Sequence, residues 1–201
     1  MWARTDLDEG ARGIRGFVVP TDTPGFRGIE IEHKMSLRAS VTAELVLEDV
    51  RLPASAMLPG VEGLKGPLSC LNEARFGIVF GAVGAARDCL EAAVAYATDR
   101  EVFDKSLAGY QITQVKLADM ALEVGKAQLL ALHLGRRKDA GGIRPEQISL
   151  GKLNNVREAI AIARECRTIL GANGITLEYP VIRHANNLEL SLIHISEPTR
   201  L

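Results

Sequence analysis

The stretch PLSCLNEARFGIVFGAVGAARDCLEAAVAYA, residues 67–97, decides how this chain is built. Pro67 suits the first turn of a helix, and Leu71, Val79, Val83, Ala86, Leu90, Ala93 and Ala97 fall on roughly one stripe. That period predicts one long amphipathic helix. Beyond a loop around residues 103–110, Ile112, Val115, Leu122, Leu129 and Leu132 repeat at three- and four-residue multiples and predict a second. Gly141 and Gly142 break it. Pro145 opens a third helix carrying Ile148, Val156, Ile160, Ala163 and Ile169, and Gly171 ends that run. Pro180 starts a short fourth helix through Glu189. Long amphipathic helices on short loops predict an antiparallel up-and-down bundle.

Upstream the period is different, and the change falls between Gly60 and Gly66. Gly16-Phe17-Val18-Val19-Pro20 is strand-like, Thr21-Asp22-Thr23-Pro24-Gly25 is a turn cluster, and Gly28-Ile29-Glu30-Ile31-Glu32 alternates in and out. From Val41 to Leu52, Val41, Ala43, Leu45 and Leu47 share one face while Thr42, Glu44 and Glu48 share the other. A β segment followed by a helical one predicts an α+β chain.

Composition excludes several classes. With 201 residues, 47% hydrophobic and 24% charged, the chain can bury a core and is not disordered. A formal net charge of −1 offers no electrostatic case for nucleic acid. Cys70, Cys89 and Cys166 are odd in number, fit no zinc or redox spacing, and read as free thiols in a reducing compartment. The longest apolar run, residues 76–86, is too short to span a bilayer, so no membrane insertion is expected, and no signal peptide opens the chain. There is no dinucleotide fingerprint, phosphate-binding P-loop, nucleophile elbow or metalloprotease motif. His33, His133, His184 and His194 are isolated, so no metal site is expected.

Positive evidence lies in local patterns set in one order. They are Leu71-Asn72-Glu73-Ala74-Arg75-Phe76-Gly77, Asp99-Arg100-Glu101-Val102-Phe103-Asp104, Gln111 with Gln114 and Lys116-Leu117-Ala118-Asp119-Met120, then Leu170-Gly171-Ala172-Asn173-Gly174-Ile175 and Glu178-Tyr179-Pro180. The series resembles the C-terminal helical half of the acyl-CoA dehydrogenase family. Lys34-Met35-Ser36-Leu37-Arg38-Ala39-Ser40 and Glu48-Asp49-Val50-Arg51-Leu52-Pro53 resemble the end of that family's middle β-barrel-like domain. Ser36-Leu37-Arg38-Ala39-Ser40, Leu71-Asn72, Gly174-Ile175 and Ile182-Arg183-His184-Ala185 look most like the glutaryl-CoA branch. The expected division is residues 1–62 as the end of the β domain and 63–189 as an incomplete helical bundle. Residues 190–201 look like translated sequencing adapter, a non-native tail with no apolar periodicity linking it to the bundle.

The resemblance implies an enzyme that uses FAD and an acyl-CoA thioester, a carboxylate base, electron-transfer flavoprotein as acceptor, and a homotetramer. It implies a bacterial cytoplasm or a mitochondrial matrix. Arg100 would reach the FAD of a neighbouring subunit, with Phe103, Gln111 and Thr168, Ile169, Leu170, Gly171 and Ala172 also at the cofactor. Leu68, Ser69, Cys70, Leu71, Asn72, Glu73, Ala74 and Arg75 would line the CoA channel. The family's catalytic glutamate would lie beyond Glu189, so no catalytic residue is assigned and the fragment is expected to be inactive. Alternatives remain: a branch acting on short or branched acyl-CoA, or a non-catalytic helical assembly module. Taken alone, Arg100 reads as a helix-end cation and Gly171 as a plain helix cap.

Overall fold

The computed structural model describes residues 1–196, and the chain divides into two units, Met1–Glu73 and Ala74–Leu201. In the first, β1 (Trp2–Arg4) pairs antiparallel with β2 (Ile14–Gly16), Trp2 opposite Gly16. A Cβ on Gly16 would lie 2.7 Å from the Trp2 ring, so the missing side chain is what admits the indole. Trp2 is thus a strand residue. β3 (Phe26–Glu30) pairs with β4 (Ala43–Leu47), Phe26 opposite Leu47. Ahead of β3, the turn cluster closes at Gly25, whose φ of +85° and 2.0 Å approach of a would-be Cβ to the Glu48 carbonyl oxygen admit only glycine.

One expectation for this unit is corrected. The strand expected over residues 16–20 lies earlier, at β2, with Phe17 bridging to Met57. The described strands of this unit form two separate two-stranded sheets, and no closed barrel is seen among them. Val41, Leu45 and Leu47 stay exposed, and so do Ile29 and Ile31. Strands with that much bare apolar surface have not found the layer that would bury them.

The helical period takes hold at α1 (Lys65–Asp99), which starts in the first unit and runs into the second. There it is followed by a hairpin of β5 (Glu101–Val102) and β6 (Lys105–Ser106), then α2 (Gln111–Asp139), α3 (Pro145–Ile169) and α4 (Val181–Ser196). Pro145 takes the first helical position of α3, where its missing N–H costs nothing, and the Gln147 side chain accepts a hydrogen bond from the Arg144 N–H at 3.0 Å. Ala82, Ala86, Cys89 and Ala93 from α1 meet Met120, Val124, Val156, Ile160, Ala163, Cys166 and Leu170, with Val181 and Leu188 of α4. A smaller cluster joins Val79, Val83, Ala127, Ala131 and Leu134. The stripes predicted for α1 and α3 are largely the buried ones, although Leu71 is exposed.

For α2 the predicted face is wrong. Ile112, Val115, Leu122, Leu129 and Leu132 are all exposed, while Thr113, Met120, Val124, Ala127, Ala131 and Leu134 are buried. Small residues let helices close against one another, so Ala127 and Ala131 mark the core side and the large aliphatics form a second apolar face. The end of the fourth helix is also corrected. α4 continues past Glu189 to Ser196, and Leu192 packs against the main core. Residues 197–201 of the expected tail lie outside the described residues.

Candidate functional site

At the end of α1, Ala92, Ala95, Tyr96, Asp99 and Arg100 line one side of an open cleft of about 450 Å³. Asn173 and Tyr179 line the other. Ala92, Tyr96 and Arg100 follow at four-residue steps and so share a face. The two alanines leave room, and the rim carries the polar groups. Asn173 Nδ2 donates to the Tyr96 hydroxyl at 3.1 Å, and the Tyr96 and Tyr179 rings meet edge to face at 5.6 Å. These contacts hold the turn Gly171–Ile175 against α1. The Arg100 N–H donates to the Tyr96 carbonyl at 2.9 Å, and its own carbonyl accepts from Leu107 N–H at 2.7 Å. Its backbone is therefore fixed. Among the described residues its guanidinium has no ion pair or hydrogen bond, although Asp99 stands beside it in the cleft. An unengaged guanidinium carried on a fixed backbone, at a cleft with hydroxyl and amide groups, is a fit for phosphate oxygens.

The remaining expected cofactor residues surround this end of the bundle. Phe103 and Asp104, both at positive φ, form the two-residue turn between β5 and β6, and Phe103 is 90% exposed. A bulky residue held in that strained region with its ring in solvent is unlike bundle core. Tyr110 Oη donates to the Val102 carbonyl at 2.6 Å and braces the hairpin. Gln111 is exposed at the first position of α2. At the end of α3, Thr168 donates to the Arg164 carbonyl at 3.1 Å, so its hydroxyl is engaged in its own helix. Ile169 is half-buried and Leu170 is 1% exposed within the core, which leaves only backbone there to meet a ligand. Gly171, at φ +59°, and Ala172 are exposed. Gly174 anchors the turn: a Cβ there would sit 2.3 Å from the Arg167 carbonyl oxygen.

The expected CoA residues lie elsewhere, along the first turns of α1. Leu68, Ser69, Cys70, Leu71, Glu73 and Ala74 are exposed, and Asn72 and Arg75 are half-buried. Ser69 Oγ donates to the Gly66 carbonyl at 2.7 Å. Arg75 and Arg100 are separated by about 37 Å of helix at 1.5 Å per residue. Arg75 and Arg100 are therefore too far apart along the helix to serve one phosphate group.

Sequence reading missed Tyr96, Asn173 and Tyr179 as site residues. The signal for Tyr96 was its place one turn before Arg100. Also missed were the buried polar residues of α3, Lys152 and Asn155, at 6% and 1% exposed. Among the described residues no group of His, Cys, Asp or Glu could hold a metal ion.

This arrangement has counterparts in known proteins. A family model described as acyl-CoA dehydrogenase, C-terminal domain, matches residues 62–193. The mitochondrial short-chain specific acyl-CoA dehydrogenase of Bos taurus is 36% identical over 96% of this chain and 47% of its own length. Glutaryl-CoA dehydrogenase of Desulfococcus multivorans is 36% identical over 90% of this chain and 47% of its own. Crystal structures of glutaryl-CoA dehydrogenase from Mycobacterium smegmatis, one of them in complex with FADH2, match at a TM-score of 0.91 and 71% identity, across 96% of this chain and 49% of theirs. The chain spans about half the length of the curated relatives it matches.

Proposed function

This chain belongs to the acyl-CoA dehydrogenase family, and on that premise we propose that it supplies the C-terminal helical part of a flavin-dependent enzyme acting on glutaryl-CoA. In this reading residues 1–62 complete a middle β domain and residues 63–189 form the bundle. The enzyme dehydrogenates the thioester between its α and β carbons, with decarboxylation of the glutaryl group, and passes electrons to electron-transfer flavoprotein. The observation that carries the branch is the 71% identity to the Mycobacterium smegmatis glutaryl-CoA enzyme. At 36%, a short-chain and a glutaryl enzyme are equally near, so only the higher figure discriminates.

FAD, when bound, accepts the hydride from the substrate's β-carbon. The chain's own residues bind and orient. Arg100 offers its fork to the FAD phosphates, with Phe103 and Gln111 nearby and the backbone of residues 168–172 approaching the cofactor from the end of α3. Asn72 and Arg75 hold the CoA part of the substrate. The roughly 37 Å between Arg75 and Arg100 supports a division of labour in which Arg100 serves a neighbouring subunit's flavin. The exposed face of Ile112, Val115, Leu122, Leu129 and Leu132 supports a homotetramer built on α2, because a stripe of large aliphatics at helical spacing needs a partner.

The test is a substrate panel on the purified full-length gene product. Highest kcat/KM on glutaryl-CoA is expected. A preference for butyryl-CoA would move the protein to the short-chain branch, and a preparation without flavin would leave only the assembly-module reading.

A further inference from the structure

The candidate site does not use Lys152, and Lys152 is the charged residue the bundle buries most deeply among those described. It sits on α3 between two residues that touch α1. Asn155 Nδ2 donates to the Val79 carbonyl at 3.0 Å, and a Cβ on Gly151 would lie 3.5 Å from Val79 Cγ2. Arg75 precedes Val79 by four residues and so lies on the same face of α1, one turn back. Ile148, one turn back on α3, is buried as well. The half-buried Arg75 therefore stands one turn before the Val79–Asn155 contact on α1, and Lys152 stands about one turn before it on α3.

No acid answers this pair. Among the described residues neither side chain has an ion pair or a hydrogen bond. Burial, and then the charge of Arg75, pull the Lys152 ammonium below the ordinary lysine pKa. Two cations at one place in a helical core are costly unless an anion joins them. We infer that Lys152 and Arg75 form a two-cation seat for an oxyanion of the acyl-CoA substrate, a phosphate of its CoA end or a carboxylate of its acyl end. This rests on the proposed function for the identity of the ligand, but not for the existence of the seat. A forked guanidinium and a compact ammonium suit an oxyanion well, because the first fixes its plane and the second follows its position.

The experiment is calorimetric titration of the 201-residue chain at low ionic strength with CoA, inorganic pyrophosphate and glutarate. At least one probe should bind with one-to-one stoichiometry. Lys152→Met should weaken that binding about tenfold, as a lost charge-assisted contact does, and Lys152→Arg should restore it to within about threefold. Where Lys152→Met does not fold, Lys152→Gln takes its place in the comparison. Pyrophosphate binding assigns the seat to the CoA end, and glutarate binding to the acyl end. Binding of pyrophosphate without CoA upholds the seat and contradicts the acyl-CoA reading of Arg75. The inference is overturned if the wild-type chain binds none of the probes. It is overturned equally if the lysine variants bind as tightly as wild type while Arg75→Ala does not.

Discussion

Asn155 on α3 donates one side-chain amide to the carbonyl of Val79 on α1 at 3.0 Å and to that of Ala127 on α2 at 3.3 Å. Three helices are thereby joined at one buried polar residue, 1% exposed. The two carbonyls lie on the axial ladders of their own helices, so the amide adds a second bond to each. Such a device fixes axial register where an all-apolar seam would let helices slide. Asn155→Ala should destabilise the chain by about 2–3 kcal/mol, from the lost hydrogen bonds and the cavity. Asn155→Asp should cost more, because a carboxylate facing two carbonyl oxygens has no donor to offer. Urea unfolding checks both. A loss below about 0.5 kcal/mol for the alanine variant would show that the bonds are dispensable.

The three thiols should separate by accessibility. Cys70 is exposed, whereas Cys89 and Cys166 are fully buried in the main core, with Cys166 Sγ 3.5 Å from Met120 Sδ. Burial first, and then the charge of Asp88 at Cys89 and of Cys89 and Glu165 at Cys166, push both buried thiols up to about 12. A disulfide-exchange reagent should therefore titrate one thiol quickly in the native chain and three after unfolding.

The same shifts make stability depend on pH. The unfolded thiols ionise near about 8.5, while the folded ones keep their protons to about 12. Between those values the folded state binds more protons, so stability is fully present below the unfolded pKa and falls as pH rises. The slope approaches about 1.4 kcal/mol per pH unit for each thiol. Cys89→Ala with Cys166→Ala should flatten the alkaline limb of a denaturation-against-pH curve. An unchanged limb would contradict the burial argument.

Truncation after Glu189 tests where the bundle ends. α4 continues to Ser196 and Leu192 packs on the core, so removal of the following residues should cost roughly 1–2 kcal/mol of stability. Leu192→Ala should reproduce part of that loss. Equal melting temperatures for the two lengths would instead support the view that the segment is passive.

Particular residues show what the amino-acid sequence discloses. Pro145 and Gly171 bracket α3 as read, because proline at a first turn and glycine past a last one act through local backbone geometry. The stripes of α1 and α3 are legible for the same reason. The α2 face is not, because Ile112 and Leu122 satisfy the helical period as well as Met120 and Val124 do. Periodicity finds an apolar face but cannot say which of two faces meets the core. Arg100 and Gly171 were legible as site candidates only through the order of motifs around them. The seat at Lys152 was invisible, since nothing local marks which lysine in a charged helix is turned inward.

The most direct test of the central account grafts this chain in place of the matching half of the Mycobacterium smegmatis glutaryl-CoA dehydrogenase. Flavin-to-protein absorbance ratio is read after gel filtration. The account predicts a yellow chimera with the flavin ratio of the parent enzyme, and an Arg100→Ala chimera that elutes folded but depleted of flavin. A chimera that elutes folded and colourless, or an Arg100→Ala form that keeps its full flavin, would contradict it.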